Sequence, residues 1–396
     1  MDELPMSVCV SASNSPCEDC HNVRKVEIGG TPVQVYSVFD GHGSTFAVAL
    51  AAERLPDMIL SRFGTVGVDL REAAEIVKMI SECFEAVDEL ILTEALNQLS
   101  GASTANGPTA RRSGCCALVL VIVHQTMYFA HVGDCRAVLV RSKVPDSPSI
   151  DSEIVPSASA VRREIESSGS GFTVRDLYLE HLLNTFSTMT TKKRKVAPPD
   201  LGGEGFVFTT VADSSEVIGI TTDHACTNPI EVLAVKHISS DPSPIRTSEK
   251  DKGVRHAPKR VAGSLLVTRA LGDGYLKRSC LSDSHYSRFL PYITCKPTIT
   301  YKKIDASVDM HIVLASDGLW NYMSAHDIHA VVKRFTSPIA STFSGPLAQA
   351  LVDKCIDQAK IYCGKSSDEF DSLPPGADRR EVIDDITVLV LSLQPT

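Results

Sequence analysis

Three apolar runs in this chain end on an acid beside a glycine: Ser37-Val-Phe-Asp40-Gly41, Phe129-Ala-His-Val-Gly133-Asp134 and Val313-Leu-Ala-Ser-Asp317-Gly318. A fourth begins on acids, with Asp384-Asp385 directly before Ile386-Thr-Val-Leu-Val-Leu391. Any one Asp-Gly after a strand is ordinarily a turn, because both residues tolerate turn geometry. The recurrence asks for more. If the last run pairs antiparallel with its neighbours, its start lies at the sheet edge where they end, and the carboxylates converge. Ionised carboxylates packed together are costly, because like charges and lost solvation both disfavour ionisation. Divalent cations remove that cost. An all-oxygen set, with the Gly41 carbonyl exposed by the tight turn, suits Mg²⁺ or Mn²⁺ better than zinc. Two such ions bridged by one carboxylate would share a water and lower its pKa, which is the chemistry of phosphoester hydrolysis.

The elements that must carry these acids are legible as short runs of Val, Ile, Leu and Phe. Strands are expected at 33–39, 116–123, 127–132, 137–140, 206–211, 217–221, 311–315 and 386–393. Ser44 is placed to cap a helix from 45 to about 63, and Ile76, Ile80, Phe84, Val87 and Ile91 form one apolar stripe along a helix over 70–99. A third helix is expected near 346–359. Strands and helices come in blocks, which favours an α+β layered fold with mostly antiparallel sheets over a doubly wound one.

The chain of 396 residues is long enough for a sizeable core, and 39 basic against 48 acidic side chains give a formal charge of −9. That balance offers no reason to expect nucleic acid as a partner. No apolar run is long enough to span a bilayer, and Met-Asp-Glu-Leu-Pro is unlike a leader, so a cytoplasmic or nuclear protein without membrane contact is expected. Twelve scattered cysteines read as reduced thiols. Cys17 and Cys20 form the one C-x-x-C; lacking a second pair at zinc spacing, they are read as passive, with a redox switch of Glu18-Asp19 as the alternative. The chain is expected to be one domain over 1–396, with a polar, disordered insertion at about 143–205 and a second polar loop at about 239–259. Within the insertion, Lys192 to Lys195 are either a solvated loop or a nuclear import signal read by an import receptor.

The order of motifs resembles the metal-dependent protein phosphatases of type 2C. The matching stretches are Glu18-Asp19, Asp40-Gly-His-Gly43, Ser113-Gly-Cys-Cys-Ala117, His131-Val-Gly-Asp-Cys-Arg-Ala137, Thr222-Asp-His224, the run from Arg260 to Asp273, Ala315-Ser-Asp-Gly-Leu-Trp320 and Asp384-Asp-Ile-Thr387. The resemblance implies a four-layer αββα sandwich with two central, mostly antiparallel sheets. It implies hydrolysis of phosphoserine and phosphothreonine in phosphoproteins by a metal-activated water, without a phosphoenzyme. By resemblance, Asp40 would bridge two Mn²⁺ or Mg²⁺ ions. The Gly41 carbonyl and Glu18 would serve one ion, and Asp317 and Asp384 the other. Asp19 stands where the family keeps a second acid, and Asp134 matches a third, weaker position shared with Asp317. His42 matches the proposed general acid. Arg269 and Asp273 are read as a buried polar pair or turn, and Trp320 as a core aromatic.

Two departures qualify the match. Many members hold the substrate phosphate with an arginine shortly before the Glu-Asp pair; here Asn14 occupies that place, an amide without charge. The stretches Asn14-Ser-Pro-Cys-Glu-Asp19, Gly272-Asp-Gly-Tyr-Leu-Lys277 and Pro291-Tyr-Ile-Thr294 look like the pyruvate dehydrogenase phosphatase branch, although no basic leader accompanies them. The rival reading is a catalytically inactive relative that binds phosphoproteins or acts as a scaffold. The complete carboxylate set speaks for activity. A monomer is expected.

Overall fold

The computed structural model describes residues 4–65, 68–100, 107–142, 217–336 and 345–393. Two antiparallel sheets dominate. One runs in the order β1 (Met6–Ser11), β13 (Ile386–Ser392), β12 (Asp309–Ala315), β6 (Arg136–Arg141) and β7 (Val217–Gly219). The other runs β11 (Thr298–Lys303), β5 (Thr126–Val132), β4 (Gly114–Val123), β3 (Thr31–His42) and β2 (Asp19–Ile28), with the two-residue β10 (Leu271–Gly272) added to β4.

Strand parity sorts the core into layers, because successive side chains point to opposite faces. Every residue of β4 is buried: Leu118, Leu120 and Ile122 enter the core between the sheets, while Ala117, Val119 and Val121 enter the core under α1 (Thr45–Phe63) and α2 (Ala73–Ser100). On the other sheet Ile312 and Leu314 of β12 face inward. Val313 and Ala315 pack outward with the helices Ala325–Phe335 and Leu347–Cys363. The result is helix pair, sheet, sheet, helix pair, the expected four-layer α+β sandwich. Ser44 caps α1, its Oγ accepting from the Phe46 amide at 3.4 Å.

Seven of the eight expected strands are present; the expected strand at 206–211 and the insertion at 143–205, with Lys192 to Lys195, lie outside the described residues. The strands β1, β2 and β11 lie at sheet edges, where β1 mixes Ser with apolar residues and β2 and β11 carry charged and polar ones, so their sequences lack a continuous apolar run. Segment 239–259, expected as a second polar loop, includes β8 (Ile245–Thr247), which forms a hairpin with β9 (Lys259–Val261). The hairpin is anchored at Asp241, which accepts from Arg246 Nη1 and from Tyr292 Oη, both at 2.8 Å. All twelve cysteines are free thiols. Among the described residues no helix is long and apolar enough to cross a membrane.

Candidate active site

The site is built by parity at one rim of the two sheets. Tyr36 and Val38 face the inter-sheet core, so the same two-residue period turns Asp40 into the cleft at the end of β3. Asp19 on β2 and Cys116 on β4 stand opposite Asp40 on either side. From the other sheet, β12 ends at Ala315, which lies opposite Val388 of the antiparallel β13. The end of one strand and the start of the next therefore share this rim, delivering Asp317 and Asp384 to it. Ser316 stitches the sheets together, its Oγ donating to Asp19 Oδ2 at 2.6 Å and accepting from the Thr387 amide at 2.9 Å.

Glycines are required where the two sheets close. A Cβ on Gly41 would lie 2.6 Å from the Glu18 carbonyl oxygen, which accepts from the Gly41 amide at 3.0 Å. One on Gly318 would lie 2.0 Å from the Asp385 carbonyl oxygen.

Electrostatics show what this packing costs. Burial, reinforced by the charges of Asp317, Asp19, Asp134 and Asp384, pushes the Asp40 carboxyl well above its ordinary range. Burial together with Asp134 and Asp384 raises Asp317 to about 8, even though a hydrogen bond with Asp40 pulls the other way. Burial raises Asp19 to about 7 against the Ser316 and Thr387 hydrogen bonds. Asp134 is raised by burial and by Asp223, and Glu18 by burial despite Arg380. Acids so placed call for a cation. Ligating atoms of Asp40, Asp134 and Cys116 already lie within 4.8 Å of one another, and the Cys116 thiol donates to Asp134 Oδ1 at 3.2 Å. The donor set, mostly carboxylate oxygens, fits a hard divalent ion.

Asp385 plays a different part. Burial alone would raise its pKa, but the amides of Ser13, Asn14 and Glu18 and the Asn14 side chain all donate to it, at 2.6–2.9 Å, and hold it below the ordinary range. It is the keystone of the loop that carries Glu18. Asn14 Nδ2 donates to Asp384 Oδ1 at 3.0 Å and to Asp385 Oδ2 at 2.9 Å. Both of its N–H groups are donated to carboxylates.

His42 ends β3 opposite Gly114 with a quarter of its side chain exposed. Its Nε2 lies 2.7 Å from Oδ2 of the fully buried Asp273. Burial by itself would strip the ring of its proton, but the Asp273 carboxylate outweighs it and the His42 pKa is raised. Gly114 leaves room for this contact; a Cβ there would lie 2.1 Å from Asp273 Oδ2 and 2.5 Å from His42 Nε2. Of the two expectations for Arg269 and Asp273, a buried polar pair or a turn, the pair does not form. Arg269 instead grips Glu231, with Nε to Oε2 at 2.9 Å and Nη2 to Oε1 at 2.5 Å. The signal for Asp273 was its own Gly-Asp-Gly, the same turn chemistry that delivers the other acids, here with Asp273 at φ +52°.

The remaining expected positions fall outside this cluster of acids or behind it. Trp320 is buried, its Nε1 donating to the Ala315 carbonyl at 3.0 Å. Asp223 pairs in two-pronged fashion with Arg136, at 2.7 and 2.6 Å. Burial pushes the Cys17 thiol to about 12 and raises that of Cys20, so neither is primed as a reactive thiolate.

Comparison with known proteins agrees with this geometry. The sequence matches the family pattern described as Protein phosphatase 2C over residues 5–150 and 206–362. Protein phosphatase 2C 32 of Arabidopsis thaliana is 26% identical over 311 residues, covering 76% of this chain and 33% of that protein. Protein phosphatase 2C 35 of Oryza sativa subsp. japonica is 28% identical over 309 residues, covering 76% of this chain and 38% of that protein. The chain thus spans little more than a third of the length of these relatives. The solved serine-threonine phosphatase 2C from Toxoplasma gondii shares the fold, with a TM-score of 0.56 at 13% identity, over 98% of this chain and 94% of that one. With the family pattern covering most of its length and the acidic rim where that fold closes its two sheets, the chain belongs to the protein phosphatase 2C family.

Proposed function

We propose that this chain hydrolyses phosphoserine and phosphothreonine in phosphoproteins at a centre of two Mn²⁺ or Mg²⁺ ions, with a third, weaker position. Asp40 would be held in common by two ions, Glu18 and the Gly41 carbonyl would serve one of them, Asp317 and Asp384 the other, and Asp134 with Asp317 the third. Asp19 holds the framework through Ser316. The observation that carries this reading is the convergence of acids from both sheets at one buried rim, where Asp19 stands opposite Asp40 and burial, the largest cause in each case, raises Asp40, Asp317 and Asp19. Bound divalent ions supply the charge neutralisation and Lewis acidity that hydrolysis of a phosphomonoester needs.

The chain's own groups do the rest. Water attacks phosphorus, the P–O bond to the serine or threonine oxygen breaks, and His42 gives that oxygen its proton. With Nε2–H bonded to Asp273, Nδ1–H is the donor left for the leaving group. Direct attack by water suits the thiols as well: burial raises Cys115 and Cys116 far above their ordinary range, which leaves no thiolate to form a phosphoenzyme. The pyruvate dehydrogenase phosphatase-like motifs support a place in that branch without transferring its substrate, and monomeric action in cytoplasm or nucleus completes the reading.

The test is turnover of an aryl phosphate and a phosphothreonine peptide with Mn²⁺, with EDTA, and in Asp317→Asn. Activity with Mn²⁺ that EDTA and the substitution each abolish is expected. Turnover indifferent to chelation would overturn the mechanism, and peptide binding without turnover would favour the inactive scaffold.

A further inference from the structure

The acidic rim needs a counter-charge that can face an incoming phosphate, and the basic side chains nearest it are mostly committed. Arg136 is locked in its two-pronged pair with Asp223, and Arg269 in its pair with Glu231. Arg112 pairs with Asp283 and lies over the Tyr275 ring. Arg380 differs. It closes the short helical turn Ala377–Arg380, just ahead of Asp384, and 46% of its side chain is exposed. Nη1 donates to Glu18 Oε2 at 3.0 Å, and Nε lies 3.6 Å from Asp384 Oδ1, an ionic contact too long for a hydrogen bond. Among the described residues only Nη1 of this guanidinium makes a hydrogen bond.

Its neighbour Arg379 shows the contrast. That side chain packs over the Phe370 ring at 4.3 Å and donates to the Leu373 carbonyl at 3.0 Å, so it holds the loop together. The turn itself is fixed at both ends: the Gly376 amide donates to the Ser13 carbonyl at 2.7 Å, and Tyr322 Oη to the Val382 carbonyl at 2.6 Å. Arg380 is therefore an exposed cation on an anchored turn, aimed at two of the proposed cation ligands. It also shares Asp384 Oδ1 with the Asn14 side chain, so positions 14 and 380 flank one carboxylate from opposite segments of the chain.

We infer that Arg380 is the phosphate-binding side chain of this site, offering its free N–H edge to the non-bridging oxygens of a phosphomonoester dianion. A planar guanidinium matches two phosphate oxygens in a way an ammonium or an amide does not. This inference rests on the proposed phosphatase reading and names the residue that grips its substrate.

The test uses the full chain loaded with Mn²⁺ and compares Arg380→Gln, Arg380→Lys and the double variant Asn14→Arg/Arg380→Gln. Three quantities are read: KM and kcat for an aryl phosphate, the inhibition constant of inorganic phosphate, and Mn²⁺ affinity by calorimetry. In Arg380→Gln, KM and the phosphate inhibition constant should both rise roughly ten-fold, about 1.4 kcal/mol of lost binding, with kcat less affected and Mn²⁺ affinity not weakened. Arg380→Lys should fall between, and the double variant should recover phosphate affinity, since the new guanidinium stands beside the same Asp384. Unchanged phosphate inhibition in a folded Arg380→Gln, or a loss accounted for wholly by weaker Mn²⁺ binding, would overturn the assignment. A wild-type chain without Mn²⁺-dependent turnover would instead remove the reading beneath it.

Discussion

At the scale of single residues, the arrangement separates the acids proposed to hold cations from Asp273, which is bonded to His42. The Asp273 carboxylate holds His42 at Nε2 and raises its pKa against the effect of burial. Asp273→Asn is expected to lower kcat by roughly 10²-fold for substrates with poor leaving groups, the scale typical of a lost general acid. Aryl phosphates with good leaving groups, which need no proton, should be nearly unaffected. A rate series against leaving-group pKa measures this; equal losses across the series would assign Asp273 to folding alone. Most of the acids could be read from sequence because each sits at the tip of an apolar run. The dyad could not, because 231 positions separate His42 from Asp273 and only the fold brings them together. Asn14 shows the same limit: its type and place suggest a ligand for phosphate, and only the fold shows its amide donating to Asp384 and Asp385.

At the scale of elements, two-residue parity and antiparallel pairing do the positioning. Asp40 faces the cleft because Tyr36 and Val38 face the inter-sheet core, and Asp384 meets Asp317 because β13 starts where β12 ends. This much follows from sequence once the final strand is taken as antiparallel. What escaped was the edge of each sheet, where one-sided burial leaves no apolar run, and the helix Ala325–Phe335, whose Ser324–Asp327 capping box was present in the sequence but unread. The join between sheets is tested at Ser316. Ser316→Ala strands Asp19 Oδ2 and the Thr387 amide in a buried setting, and a loss of about 1–3 kcal/mol in chemical denaturation is expected. Mn²⁺ affinity should fall with it, and a variant with unchanged stability would show that the stitch is dispensable. Gly114→Ala is a sharper test of the catalytic edge. Its Cβ would intrude between His42 and Asp273, so kcat should drop while Mn²⁺ binding persists.

At the scale of the whole molecule, the acidic rim makes the fold's stability depend on pH and on cations together. Asp317 at about 8 and Asp19 at about 7 bind protons in the folded state that they would release in the unfolded one, where a carboxyl titrates near its ordinary value. A folded pKa above the unfolded one means that the native state holds more protons between about pH 4 and pH 8, so the chelated protein should lose stability as pH rises through that window. Mn²⁺ replaces those protons, and the rise in Tm it produces should grow with pH over the same range. Thermal melts at pH 5 and pH 8, with EDTA and with Mn²⁺, check this; a metal-free Tm that increases with pH would contradict it. The most direct measurement is anomalous diffraction at the manganese edge from crystals soaked in Mn²⁺. Two strong peaks are expected beside the Asp40 carboxylate, one toward Glu18 and one toward Asp317 and Asp384. Full-occupancy manganese elsewhere with none at this rim would show that its acids do not assemble a metal centre.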